Sequence, residues 1–114
     1  MNNPIILLFG KETASAGDYE KEFRVDYGQV WELLYVSIEN ETKGWLLHKI
    51  VCADESKNQY VLVEDFNVRI GSKSNSVVWK GQHILIGGNY LILKIHGCDN
   101  GDSISYRIIY RRVI

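Results

Sequence analysis

Val30-Trp31-Glu32-Leu33-Leu34-Tyr35-Val36-Ser37-Ile38-Glu39-Asn40 is the stretch whose reading decides the fold. β-Branched and aromatic side chains dominate it, and these suit a pleated, half-buried surface. With a period of two, Val30, Leu34, Val36 and Ile38 share one face with Glu32, and Trp31, Leu33, Tyr35 and Ser37 share the other. Both faces are largely apolar, so the stretch reads as a central strand covered on both sides.

Working outward, similar runs follow at short spacing. Glu20 to Asp26 alternates, and Tyr27-Gly28 punctuates it. Downstream come a polar turn over Glu39–Gly44, an apolar run from Trp45 to Ala53, and a second polar turn at Asp54-Glu55-Ser56-Lys57-Asn58. Gln59 to Glu64 is the next strand, with a break at Asp65 and a continuation to Ile70 left open. Gly71 to Ser76 reads as a loop, Val77 to Trp79 as a short strand, and Gly87-Gly88-Asn89 as a turn. Tyr90 to His96 and Ser103 to Ile114 both alternate, separated by Cys98-Asp99-Asn100-Gly101-Asp102. Asn-Gly is the pair that type I′ hairpin turns favour, because both central residues then need positive φ. No segment carries a helical stripe over ten residues. The expectation is an all-β domain of about seven or eight antiparallel strands, a sandwich or a barrel. Residues 1–18 are expected to form an N-terminal arm and a flexible segment, with Ile5 to Phe9 as the apolar arm, and residues 19–114 the β-domain.

Composition bounds what such a domain can do. The 114 residues include 10 Val, 13 Ile, three Trp, seven Tyr and three Phe, but a single Pro. This is a globular balance rather than a disordered one. Thirteen basic residues against 14 acidic ones give a formal charge of −1, which argues against bulk attraction to nucleic acid. The longest apolar run, Ile5 to Phe9, is too short to span a membrane and lacks the flanks of a signal peptide. Cys52 and Cys98 read as two reduced thiols, because small disulfide scaffolds carry a denser set.

No combination of residues names a chemistry. His96 and Cys98 would share a face on a regular strand and could form half a zinc site, but a strand-end histidine beside a turn is the preferred reading. Asp99 to Asp102 lacks the carboxylate ladder of a calcium loop. Neither a phosphate-binding glycine loop nor a nucleophile elbow is present. The chain is therefore read as a non-enzyme with no cofactor and no metal. A small enzyme stays open only if His96, Cys98 and Asp102 meet in one pocket. Arg107, Arg111 and Arg112 give the last strand a basic character. Arg107 and Arg111 have opposite parity to Tyr106 and Tyr110, so the arginines are expected outward as an edge guard or an intersubunit strip rather than as a nucleic-acid surface. Trp31, Trp45 and Trp79 could stack on a sugar, with Trp79 the leading candidate, although core or interface packing is the commoner use of tryptophan.

Three features taken together carry a resemblance: Tyr27-Gly28-Gln29-Val30-Trp31 running into the strand to Ile38, Leu85-Ile86-Gly87-Gly88-Asn89-Tyr90-Leu91-Ile92-Leu93, and Asn100-Gly101-Asp102 leading into Ser103 to Tyr110. Their order resembles small jelly-roll-like β-sandwich proteins in the virions of tailed bacteriophages. The resemblance spans roughly residues 19–110. It implies a jelly-roll-like sandwich serving as a repeated structural subunit of a head decoration, fibre or tail/neck assembly. Its implied partners are copies of itself and other virion proteins, with neither nucleic acid nor membrane. Its implied location is the virion, assembled in the host bacterial cytoplasm. The contact regions expected on this reading are Ile5, Ile6, Leu7, Leu8 and Phe9, which either add a strand to a neighbour's sheet or complete their own, together with Arg107, Arg111 and Arg112. The alternative function is a carbohydrate-binding or receptor-recognition module using Trp79.

Overall fold

A computed structural model describes residues 4–42, 46–66 and 75–113. Eight strands follow in order: β1 (Ile5–Thr13), β2 (Gly17–Arg24), β3 (Val30–Asn40), β4 (Leu47–Ala53), β5 (Gln59–Phe66), β6 (Asn75–Ile86), β7 (Tyr90–Cys98) and β8 (Ser103–Arg112). They form two four-stranded antiparallel sheets, β1-β8-β3-β6 and β2-β7-β4-β5. The pairing is nested: β4 pairs with β5, β3 with β6, β2 with β7 and β1 with β8. The chain is thus one long hairpin rolled up, and the β3–β8 and β4–β7 contacts close the roll. This is the eight-stranded jelly roll. Among the described residues no helix is long and apolar enough to cross a membrane.

The core lies between the sheets. Leu33, Val36, Ile38, Ile104 and Ile108 from the first sheet meet Ile50, Cys52, Leu91, Leu93 and Ile95 from the second, all completely buried. Aromatic pairs extend this packing. Trp31 stacks on Tyr110 with centroids 4.0 Å apart, and Phe23 meets Tyr106 edge-on at 5.3 Å. The two cysteines are unpaired and buried.

β3 begins and ends where its alternation predicts, but its register against β8 shifts between Leu33 and Tyr35. Leu34 is the extra residue of a bulge. Before it, Trp31 and Leu33 point into the core; after it, Val36, Ile38 and Asn40 do. The apolar character on both parities therefore reflects a change of phase within one inward face. Opposite this point β6 carries its own extra residue, since Leu33 pairs with His83 and Tyr35 with Lys80. That irregularity and Gly81 conceal the second half of β6, which continues past Trp79 to Ile86.

The three features that carried the resemblance share one local device. Gln29 N–H donates to Asp26 C=O, Asn89 N–H to Ile86 C=O and Asp102 N–H to Asp99 C=O, each closing a four-residue turn. In each turn the third residue is a glycine at positive φ: Gly28 (86°), Gly88 (90°) and Gly101 (94°). Asn100 does not take positive φ, so the turn before β8 follows the type II pattern and not the expected type I′.

The segment Ile5–Phe9 completes its own sheet. It opens β1, which pairs with β8 without a register break from Ile5↔Arg111 to Thr13↔Ser103. Ile6 and Leu8 pack against the core. Residues 14–16 then turn the chain into β2. The proposed continuation to Ile70 and the loop at Gly71 to Ser76 lie, beyond Phe66 and before Asn75, outside the described residues, as does Trp45.

Candidate functional site: the outer face of the first sheet

Alternation gives every strand of the first sheet an outward row, and register aligns the rows across the sheet. One row runs Ile5, Arg111, Glu32, Ile84; the next runs Leu7, Ile109, Tyr35, Lys80; the third runs Phe9, Arg107, Ser37, Val78. Ile5 is 60% exposed, Leu7 53%, Phe9 71%, Ile84 51% and Val78 43%. Ile86, one step beyond Ile84 on the same strand face, is exposed as well. Isolated exposed apolar residues are ordinary, but here they run in rows along both edge strands, β1 and β6, with Arg111, Glu32, Arg107 and Ser37 of β8 and β3 between them.

The cations of this face are interleaved with the apolar rows. Arg111 Nη1 donates to Glu32 Oε1 at 2.7 Å, a half-buried ion pair bridging β8 and β3. Arg107 and Lys80 have no ion-pair partner among the described residues. Arg107, Phe9, Tyr35, Val78, Tyr106 and Lys11 line an open groove of about 630 Å³ across the sheet. At its end Lys11 Nζ lies 2.9 Å from Glu41 Oε1, and this ammonium holds the Glu41 carboxyl below its ordinary range. Arg112 stands apart: it pairs with Trp31 at the strand end and has the opposite parity to Arg107 and Arg111. The arginine strip therefore divides, with two of its members on the apolar face.

The outer face of the second sheet is built differently. Glu20, Lys94, Lys49 and Glu64 form one cross-sheet row. Its ends are tied by Lys94–Glu20 at 3.5 Å and Lys49–Glu64 at 3.2 Å. Lys57, in the turn before β5, reaches both carboxylate oxygens of Glu22 at 2.8 Å and covers the Tyr90 ring at 3.9 Å. Small apolar side chains of Val51, Ala53 and Ile92 fill the middle and are buried beneath these charges. Among the described residues Val61, opposite Val51, is the one exposed aliphatic side chain on this face, against Ile5, Leu7, Val78, Ile84 and Ile86, with Phe9, on the first.

The remaining candidates are dispersed. Gly97 takes φ +90° within a bulge of β7 against β2, so His96 and Cys98 do not share a face. His96 is exposed and its Nδ1 sits 2.6 Å from Asp18 Oδ1, whereas Cys98 is buried. Asp102 is inside with Cys98. Asn40 Nδ2 donates to Asp102 Oδ2 at 3.0 Å and lies 3.8 Å from Cys98 Sγ. The three residues of the enzymatic alternative thus fall in two places. The other thiol, Cys52, is pushed up to about 12 by burial, so it is no nucleophile at neutral pH. Nearby Tyr60, also pushed up to about 12 by burial and then by Cys52, bonds through its hydroxyl to His83 Nε2 at 2.5 Å. That contact ties β5 to β6 across the open side of the sandwich.

Trp79 points inward from β6, half-buried against the core, with its ring 2.9 Å from where a Cβ on Gly81 would stand. Stacking on a sugar requires an open ring face, and this ring is largely occupied. Sequence reasoning missed Val78, Ile84 and Ile86, which stand outward on β6, the opposite edge of the same face from Ile5, Leu7 and Phe9. The period-two spacing of Ile84 and Ile86 is the signal that could have found them. It also missed Asn40, the buried amide that joins β3 to the turn before β8.

The architecture and the open face define a class: an eight-stranded jelly-roll β-sandwich module with one unsatisfied sheet surface. No protein-family model and no curated protein matches the chain. Among solved structures it is similar to the pre-peptidase C-terminal domain of a collagenase from Bacillus anthracis, with 18% identity, a TM-score of 0.44, and coverage of 95% of this chain and 89% of that one. It is also similar to part of latent PorU from Porphyromonas gingivalis, with 8% identity and a TM-score of 0.47, covering 98% of this chain and 13% of that one. A third similarity is to a chain of infectious bursal disease virus strain Gx, with 4% identity and a TM-score of 0.48, covering 98% of this chain and 33% of that one. At these scores the likenesses carry no functional argument.

Proposed function

We propose that this chain is a non-enzymatic structural subunit of a bacteriophage particle, in a head decoration, fibre or tail/neck assembly, and that it works by burying the outer face of its first sheet. The observation that carries this reading is the contrast between the faces: Ile5, Leu7, Phe9, Val78 and Ile84 stand exposed on one sheet, while the other is laced by its own ion pairs. Burying apolar area contributes roughly 25 cal/mol per Å², so such a face is worth covering. Arg107, Arg111 and Glu32 supply charges of both signs, which set orientation more than affinity. The order of turns and strands that resembles phage virion sandwiches supplies the particle; copies of the chain and other virion proteins are the partners.

The test is particle composition. Virions purified from a producing bacterial lysate should contain the chain at a fixed stoichiometry, and electron microscopy should find the first sheet against a neighbour. A Phe9→Ser chain should be incorporated at least tenfold less while folding normally. Purified particles that lack the chain overturn the reading.

A further inference from the structure

The backbone of β1 has two sides, and only one is used. Arg112 N–H donates to Pro4 C=O at 3.0 Å, and Ala14 N–H donates to Asp102 C=O at 2.8 Å. The register between these ends is unbroken. In an antiparallel ladder, bonded and non-bonded pairs alternate. The even residues Ile6, Leu8, Gly10 and Glu12 therefore bond to β8, and the N–H and C=O groups of Ile5, Leu7, Phe9, Lys11 and Thr13 point away from it. Among the described residues no strand pairs with that side.

Natural edges are blunted by proline, charge, bulges or cover. The other three edges of this sandwich carry such devices. β2 presents Asp18, Glu20, Lys21, Glu22 and Arg24; β5 is bulged at Leu62 between the Ile50 and Val51 pairs; β6 is irregular near Gly81, and Tyr60–His83 ties it to β5. β1 has nine residues, no proline and no bulge. Its two charged side chains are already engaged, Lys11 with Glu41 at 2.9 Å and Glu12 with Lys21 at 3.0 Å.

We infer that the β1 edge pairs antiparallel with the β1 edge of a second copy of this chain, joining two first sheets into one continuous eight-stranded sheet. A two-fold axis at Leu8 sets Leu7 of one copy opposite Phe9 of the other, Ile6 opposite Gly10, and Ile5 opposite Lys11, so the centre of the seam is apolar and a lysine stands at each end. No like charges are brought together, because Lys11 faces Ile5 and Glu12 faces Pro4 of the other copy, and both keep their own ion pairs. The joined sheet would also double the apolar face, and this inference rests on the assembly reading only in that consequence.

The alternation gives a sharp test. Proline at an odd position removes a donor from the open side and leaves the β8 ladder intact. By sedimentation equilibrium the wild-type chain should be a dimer, and Leu7→Pro should raise the dissociation constant at least tenfold with an unchanged circular dichroism spectrum. Val78→Ser, on β6 at the far edge of the sheet, leaves β1 untouched and should remain dimeric even where it fails to enter particles, which separates this inference from the assembly reading. Amide exchange on the wild-type chain supplies a second readout that needs no variant. The amides of Leu7 and Phe9 should become protected as concentration rises, while those of Ile6 and Leu8 are protected throughout. A wild-type monomer at millimolar concentration, a folded Leu7→Pro chain that dimerises like wild type, or odd amides that exchange fast at every concentration would each overturn it.

Discussion

Glu41 shows how a single exposed side chain can report on a strand. Its carboxyl is held below the ordinary range by the Lys11 ammonium, with help from the Ser103 hydroxyl. Lys11 lies on β1 and Glu41 just past β3, so the pair pins the first strand near its end. A carboxyl whose folded pKa is lowered stabilises the fold fully above its unfolded value, and that contribution disappears as pH falls through the folded value. Wild type should therefore melt slightly above Glu41→Gln at neutral pH, and the two melting curves should converge as acid carries them down through the carboxylate range. A difference that persists after Glu41 is protonated would assign its role to packing instead. Single residues also limit what could be read from sequence. Leu34 inserts one residue into β3 and reverses its parity; Gly97 does the same for β7 and separates His96 from Cys98. A bulge is a difference in length between two paired strands, so a pattern confined to one strand does not contain it.

At the scale of elements, β1 is both a core strand and a surface. Ile6 and Leu8 are half-buried against the core, while Leu7 between them is exposed. Leu8→Ala should cost about 1–2 kcal/mol of stability, somewhat less than full burial because the site is half open. Leu7→Ala should change it by no more than about 0.5 kcal/mol. Urea unfolding of the two variants at low protein concentration measures both, and equal losses would contradict the inward and outward assignment. Removing the whole of residues 1–10 would strip β8 of its neighbour along most of their ladder, so that deletion disrupts the fold as well as any contact it makes. The bounds of β3, β4 and β8, runs rich in apolar residues and flanked by firm turns, were legible to within two residues. The second half of β6 was not, because Gly81 and the extra residue beside it interrupt the alternation that extends from Val77 to Ile86.

The whole molecule has two faces of different chemistry. One carries ion pairs at its surface; the other carries Ile, Leu, Phe and Val among a few cations. Exposed ion pairs are worth little and weaken with salt, whereas apolar burial does not depend on charge screening. Association through the first sheet should therefore survive about 1 M NaCl, where the Debye length falls to about 3 Å. Light scattering across a salt series would show it, and dissociation at high salt would move the contact to the charged face. The existence of a sandwich was legible in the composition and alternation. Which face stands open was not, since that depends on cross-strand register: Phe9, Arg107, Ser37 and Val78 become neighbours only through β1–β8, β8–β3 and β3–β6 pairing.

The nested pairing also sets an order in time. The β4–β5 hairpin closes over the short turn at Asp54–Asn58, and each enclosing pair is brought within reach by the one inside it. β1 and β8 lie farthest apart along the chain, and closing so long a loop directly is entropically slow. The strand that bears Ile5, Leu7 and Phe9 should thus zip last, after the rest of the roll has formed. On the proposed assembly reading, a newly made chain would offer its completed first sheet only at the end of folding, so maturation of the fold would itself act as a timer on assembly.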